Sequence, residues 1–351
     1  MKPPFPYFGK KTDVTEVVWK TFNTVDNYIE PFAGSCAMLL ARPEHTVYNK
    51  KNEYDWGIET INDADGLVSN FWRATAHDVH EVARHAAWIV HEADLHARHL
   101  WLVNHKDDIE EKLMADPDWY DPKAAGWWLW GACNWIGQGW CRGDGPWYNE
   151  NGTFVKGDPP TYGVNRQIPH IGGKGRGINK YDENTVPGIE QVLQHIKPLA
   201  LRMSNVRIGC GDWSRVTGKA VRQYGNNTAI FLDPPYSEGS VDYAEGSRSI
   251  AEQVCDWAIE VSKSEPDLKI ALCGYEGEHD RLVHNHGWDV YKWGTSGGYG
   301  VQGHGQGRIN ANRERIWFSP ACEYGTKTLD DCVDEEGGMD VEDLFNVGGA
   351  D

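Results

Sequence analysis

The chain has 351 residues, 40% of them hydrophobic and 25% charged, enough for a domain-sized core and unlike a low-complexity or fibrous sequence. No apolar run reaches the roughly 20 residues that span a bilayer, and the net charge of −18 taken alone argues against a polyanionic partner. The eight cysteines are scattered without a Cys-x-x-Cys pair, so neither a zinc site nor a disulfide framework is expected, and the thiols read as reduced and cytoplasmic.

The opening MKPPFPYFGKK has no apolar segment of a secretory leader. NYIEPFAGSCAMLL predicts a short strand at Tyr28 and Ile29, a glycine turn, and a helix from about Ser35. GIETINDADG predicts a second strand over 58–61 that ends in Asn62-Asp63. Strand, turn, helix and strand open an α/β unit.

A long helical pattern follows over 77–105, with Val79, Val82, Ala86, Ile89 and Val90 at roughly helical spacing. Seven of the 14 histidines lie in it. The pairs His77/His80 and His96/His99 have a spacing that suits a metal, but no cysteine or acidic partner accompanies them, and surface positions are expected. Next comes a tryptophan-rich stretch with Trp127, Trp128, Trp130, Trp135, Trp140 and Trp147, of which half are expected in a core. Residues 159–181, PPTYGVNRQIPHIGGKGRGINKY, then carry Arg166, Lys174, Arg176 and Lys180 and no acid. Local charge of this kind matters more than net charge for docking a polyanion.

The pattern returns to α/β near residue 204. NVRIGCGDW predicts a strand ending in Gly211-Asp212-Trp213, and TAIFLDPPY a strand ending in Asp233-Pro234-Pro235-Tyr236. Ser249-x-x-Glu252 is a capping box that opens a helix with Val254, Trp257, Ala258 and Val261 on one face. LKIALCGY predicts another strand, and WDVYKW and RERIWFS a closing pair joined by a glycine-rich loop over 294–308. The tail, 321–351, holds ten carboxylates against one base, Lys327, and is expected to be solvated and disordered.

Ligands of open α/β sheets sit outside the carboxyl ends of the strands. Four predicted strands end in matching punctuation: Glu30-Pro31-Phe32-Ala33-Gly34, Asn62-Asp63, Gly211-Asp212-Trp213 and Asp233-Pro234-Pro235-Tyr236. A parallel sheet would cluster them at one rim. They offer a glycine turn, acids suited to ribose hydroxyls, and an aromatic beside an acid suited to a purine. The two prolines cannot continue a ladder and form a stiff turn. That turn fixes a carboxylate, a prolyl carbonyl and an aromatic face in one relation.

The order closely resembles the Dam-like DNA adenine methyltransferases, whose target-recognition segment interrupts the catalytic domain. The resemblance covers roughly 4–70 and 205–318 and is carried by FPYFGKK, EPFAGSCAMLLARP, ETINDADGLVSNFWRA and DPPY. It implies an α/β fold: a Rossmann-like, mostly parallel methyltransferase sheet with a closing antiparallel pair, interrupted by a largely helical insert. The catalytic domain would comprise 1–70 and 204–320, and the DNA-binding insert 71–203. The resemblance implies S-adenosyl-L-methionine as cofactor, double-stranded DNA as substrate, and a bacterial or phage-infected cytoplasm. Tyr7, Gly9, Lys10 and Lys11 would lie near the methionine end, with Lys11 the aligned lysine that neutralises the carboxylate. Glu30, Phe32 and Gly34 would surround the methionine moiety, Cys36 standing where the family usually has glycine. Asp63 would take the ribose hydroxyls, and Asp212 and Trp213 would flank the adenine.

Asp233, Pro234, Pro235 and Tyr236 would form the catalytic corner. An exocyclic amine is a poor nucleophile because its lone pair is delocalised into the ring. Two fixed acceptors, the Asp233 carboxylate and the Pro234 carbonyl, favour the pyramidal nitrogen without reorganising. The base must leave the duplex to reach them. Arg166, Lys174, Arg176 and Lys180 would hold phosphates, and Asn165 and Gln167 would read adenine edges. The cytosine amine, RNA, or nucleic-acid binding without catalysis are the alternatives. DVEDLF in the tail loosely resembles peptides that dock on bacterial sliding clamps, with Leu344 and Phe345 as anchors.

Overall fold

The computed structural model describes residues 1–7, 11–47, 56–136, 140–141, 143, 147–151, 153–157, 168–169, 177–179, 188–225, 227–236, 249–293 and 313–324. The tail beyond 324, with its expected disorder and its clamp-like peptide, lies outside them.

The strands are β1 (Asn27–Glu30), β2 (Ile58–Asp63), β3 (Trp147–Glu150), β4 (Thr153–Lys156), β5 (Arg207–Cys210), β6 (Thr228–Leu232), β7 (Lys269–Tyr275), β8 (Asp289–Lys292) and β9 (Glu314–Phe318). Seven of them form one sheet in the order β5-β2-β1-β6-β7-β9-β8, and β3 and β4 form a separate antiparallel pair. β5, β2, β1, β6 and β7 are parallel, whereas β9 runs antiparallel to both β7 and β8. The fold is therefore α/β with a mostly parallel, Rossmann-like sheet. β1 and β6 are adjacent although most of the sheet's chain separates them, so the crossovers diverge on either side of this pair. Open sheets of this kind take their ligands outside the carboxyl ends of the strands at such a point.

Strand periodicity of two places alternate residues on opposite faces. Ala229 and Phe231 of β6, with Ala271 and Cys273 of β7, join one apolar cluster. Ile230, Leu232, Ile270 and Leu272 join the other. Both faces are covered, which explains why β6 is buried throughout and apolar from Ala229 to Leu232.

The helices are α1 (Thr15–Phe22), α2 (Ala37–Leu40), α3 (Gly66–His77), α4 (Val79–Ala86), α5 (Glu92–Ala115), α6 (Pro122–Asn134), α7 (Ile189–Met203), α8 (Lys219–Arg222), α9 (Ile250–Ser264) and α10 (Arg281–His286). Helices α3 to α7 lie between β2 and β5 in the chain, and their buried residues share one cluster with Phe5, Trp19, Tyr28 and Phe231. Helices α9 and α10 supply Val254, Ala258 and Leu282 to the opposite face. The capping box of α9 is formed, Ser249 accepting from the Glu252 amide and Glu252 from the Ser249 amide, each at 3.2 Å.

The long helical pattern is broken twice. Asp78 ends α3 and caps α4, accepting the Glu81 amide at 3.2 Å. Residues 87–91 are not helical, and Ile89 and Val90, which keep helical spacing in the sequence, are exposed. His96 and His99 are buried rather than at the surface. His99 lies edge-on to Trp135 and accepts the Cys141 amide at 3.2 Å, and burial pushes its imidazole down to about 3. It is a neutral core residue. Of the six tryptophans in the rich stretch, Trp128, Trp130 and Trp135 are buried and the rest half-buried. Among the described residues no helix is long and apolar enough to cross a membrane.

A buried ion cluster ties α7 to the sheet. Arg202 of α7 clamps the Glu59 carboxylate of β2 through Nη1 at 2.5 Å and Nη2 at 2.7 Å, and Arg42 donates to the same carboxylate at 3.0 Å. Glu59 is 2% exposed. Removing one partner strands buried charges of like sign. Glu59→Gln is expected to destabilise the fold by about 3–5 kcal/mol in urea unfolding; a change below about 1 kcal/mol would mean that water reaches the two guanidinium groups.

Candidate active site

The carboxyl ends of the parallel neighbours β1 and β6 lie on the same rim of the sheet. β6 ends at Leu232, and the proline turn sets Asp233 and Tyr236 beside Lys11, which sits in a 3-10 turn at Lys11–Asp13. The Lys11 Nζ donates to the Tyr236 hydroxyl at 2.8 Å and lies 3.1 Å from Asp233 Oδ1 and 3.5 Å from Glu314 Oε2. The Tyr236 hydroxyl in turn donates to Asp233 Oδ1 at 3.2 Å. The ammonium also lies over the rings of Tyr236 at 5.3 Å and Trp293 at 5.5 Å, and Tyr275 meets Tyr236 edge-on at 4.6 Å.

Lys11 is 6% exposed, the side chain of Asp233 19% and that of Glu314 13%, so the group is nearly enclosed. Burial opposes the charged lysine, but Asp233, Cys273 and Glu314 around it hold the ammonium well above its ordinary range. Burial raises Asp233, with the Lys11 charge and the Tyr236 hydroxyl acting against it. Burial likewise raises Glu314, again with Lys11 opposing. Burial also lifts the Tyr236 phenol far above its ordinary range, so it remains a donor.

The β1 tip supplies Gly34, in the left-handed region at φ +45°. A Cβ there would stand 2.3 Å from the Tyr7 ring, so the backbone and Tyr7 are in contact that only glycine allows. Cys36 is also left-handed, at φ 53°, the reason a glycine is at home in this position. The expected helix shrinks to the single turn of α2 behind it. Asp63 at the β2 tip accepts the Gly34 amide and the Asp65 amide, each at 2.8 Å, and thereby fastens the first two strand ends together. Burial raises Asp63 to about 6 against the pull of those two amides. At the β5 tip, Asp212 is exposed and accepts the Ser214 amide at 2.9 Å, and Trp213 stacks on Phe32 of the first tip at 6.4 Å. Asn62 bonds the carbonyls of Pro31 at 3.1 Å and Gly211 at 2.9 Å, holding the β1, β2 and β5 ends in register.

No protein-family model matches the chain, and no characterised protein sequence matches it significantly.

The structure brings together two groups. Glu30, Phe32, Gly34, Asp63, Asp212, Trp213 and Tyr7 gather around the ends of β1, β2 and β5. Asp233 and Tyr236 gather with Lys11 at the end of β6. Lys11 thus stands against the proline corner. Pro234 is buried and Pro235 exposed. Gly9, Lys10, Arg166, Lys174, Arg176 and Lys180, with Asn165 and Gln167, lie outside the described residues. Sequence reasoning missed Glu314, Trp293 and Tyr275. Glu314 opens β9, and antiparallel pairing sets it opposite Tyr275, at the carboxyl end of β7. Only the strand order shows that this position belongs to the rim; the sole local signal is an acid ahead of the apolar Ile316, Trp317 and Phe318.

Glu30, 3% exposed, accepts from the Tyr28 hydroxyl at 3.1 Å and the Leu39 amide at 3.2 Å, yet burial outweighs both and raises it to about 8. The unfolded chain releases this proton near 4.5 and the folded chain near 8. Stability from Glu30 is thus fully present below the lower value and is lost as pH rises through the upper one. Glu30→Gln keeps both bonds and cannot ionise. Across that window the variant is expected to gain on the wild type by up to about 1.4 kcal/mol per pH unit, read from urea unfolding at each pH. A constant difference would show that Glu30 is ionised throughout.

Proposed function

We propose that the chain transfers a methyl group from S-adenosyl-L-methionine to the N6 amine of an adenine flipped out of double-stranded DNA. One observation carries this reading: Asp233, at the end of a central strand, is clamped by Lys11 and Tyr236 beside the glycine tip of the adjacent strand. An ordinary strand-end turn has no need of a buried lysine braced against its carboxylate.

The residues at the rim suit the cofactor. Gly34 lacks the side chain that would crowd Tyr7, and Asp63 keeps an acceptor edge on each oxygen after its two amide bonds. Asp63 is assigned the ribose hydroxyls, Asp212 and Trp213 the adenine, and Glu30, Phe32 and Gly34 the methionine end. When bound, the cofactor supplies an activated methyl on a sulfonium, so a covalent enzyme adduct is not required.

The chain's own contribution is positioning and electrostatics. Among the described residues, the bonds to Asp233 reach Oδ1. Oδ2 faces the amine, and the Pro234 carbonyl takes its second hydrogen. Both acceptors favour a pyramidal nitrogen with a localised lone pair. Tyr236 and Tyr275 supply apolar faces for the base, which offset the cost of unstacking it. The basic, glycine-rich run with Arg166, Lys174, Arg176 and Lys180 is assigned the phosphates, so that a chain of net charge −18 still meets DNA through a basic surface.

Nucleosides digested from the DNA of cells expressing the chain are expected to contain N6-methyladenine by mass spectrometry. Asp233→Ala is expected to lower the level by roughly 10²–10³ while the variant still binds the cofactor. N4-methylcytosine in place of methyladenine would move the substrate to the cytosine amine. Absence of any methylated base would leave a nucleic-acid-binding protein without transfer activity.

A further inference from the structure

We propose that Glu314 is a positioning residue for this transfer: it draws the Lys11 ammonium partly away from Asp233, so that Asp233 keeps the acceptor strength the amine requires. The inference rests on the methyltransferase reading and deepens it. One ammonium lies between two carboxylates, 3.1 Å from Asp233 and 3.5 Å from Glu314, in a site where none of the three is more than 19% exposed. With all three ionised, the cluster holds a net single negative charge.

That surplus has a use. As the N–C bond forms, the methyl–sulfur bond of the sulfonium breaks and its electron pair stays on sulfur, which leaves as a neutral thioether; positive charge develops on the nitrogen, which then loses a proton to solvent. A carboxylate neutralised by its own lysine is a weak acceptor for such a nitrogen. A lysine shared with a second carboxylate leaves the first one anionic towards the substrate. Lys11 has three hydrogens and three acceptors around it, namely Asp233 Oδ1, the Tyr236 oxygen and Glu314 Oε2. Lys11 therefore anchors Asp233 without saturating it. The rings of Tyr236 and Trp293 keep the ammonium from swinging away.

The fold explains why the second carboxylate comes from so far along the chain. β9 begins where β7 ends, because the two strands are antiparallel, with Glu314 opposite Tyr275. The first residue of β9 is thus delivered to the carboxyl rim of the parallel strands. The groups that face Glu314 are Lys11 from the N-terminal turn, Asp233 and Tyr236 from the turn after β6, and Cys273 from β7. Its chain neighbour Arg315 turns to Glu276 at 2.7 Å instead.

The test uses the full chain, duplex DNA and S-adenosyl-L-methionine, with wild type, Glu314→Gln and Glu314→Asp measured side by side. In single-turnover assays E314Q is expected to lose at least tenfold in the rate of transfer, while its Kd for cofactor and for DNA stays within twofold. E314D, which keeps the charge on a shorter stem, is expected to recover part of the rate. Independently of activity, the Asp233 carboxyl followed by carbon-13 NMR in the unliganded protein is expected to titrate at a lower pH in E314Q, because Lys11 then serves Asp233 alone. An unchanged rate in E314Q, or a lost rate with the Asp233 midpoint unmoved, overturns the inference. Should E314Q not fold, E314D decides: a lower rate at unchanged Kd supports the inference, and a wild-type rate overturns it. An inert wild type whose Asp233 midpoint still shifts in E314Q refutes the methyltransferase reading and leaves the charge sharing standing.

Discussion

A single enclosed ammonium organises the rim. Lys11 links the N-terminal turn, the proline corner after β6 and the first residue of β9, three pieces of chain that are remote in sequence. Enclosing a lone lysine would cost several kcal/mol, and the molecule offsets this with two carboxylates and a phenol. The consequence is geometric as well as energetic. Asp233 has one oxygen committed to Lys11 and Tyr236, which sets its orientation within the fold itself. Preorganisation of this kind is what an amine with a delocalised lone pair needs from a protein.

The half of the rim proposed for the cofactor depends on a different device. Asn62 and Asp63 stitch the ends of β1, β2 and β5 together through backbone amides and carbonyls, so the glycine turn, Asp63 itself and the Phe32–Trp213 pair hold one relation. The two halves meet at β1 and β6, the neighbours from which the crossovers diverge. Helices α3 to α7 share their apolar core with the same face of the sheet that carries Tyr28 and Phe231, so the tryptophan-rich segment is packed onto the scaffold of the site.

Much of this was legible because strands announce themselves by apolar runs with polar punctuation. The ends of β1, β2, β5 and β6 fell where Glu30, Asp63, Asp212 and Asp233 sit, and the capping box at Ser249 marked the start of α9. What stayed hidden depends on long-range packing. The spacing of Val79 to Val90 suggested one helix, because periodicity cannot see that Asp78 caps a new start or that Ile89 and Val90 face water. His96 and His99 carried no mark of burial, since Trp135 and Trp140, which pack against His99, lie remote from it in sequence. Lys11, Asp233 and Tyr236 could each be matched to a motif, but Glu314 could not, because it reaches the rim only through the antiparallel closure of the sheet.

The central claim is that the rim has two separable halves, one for the cofactor and one for the amine. Isothermal titration of the unliganded protein with S-adenosyl-L-methionine tests this most directly. The account predicts one site per chain, a Kd weakened at least tenfold by Asp63→Ala and unchanged within about twofold by Asp233→Ala, since a lost pair of hydrogen bonds to a charged group is worth roughly 1.5–3 kcal/mol or more. No binding to the wild type, or equal weakening by both substitutions, would contradict it.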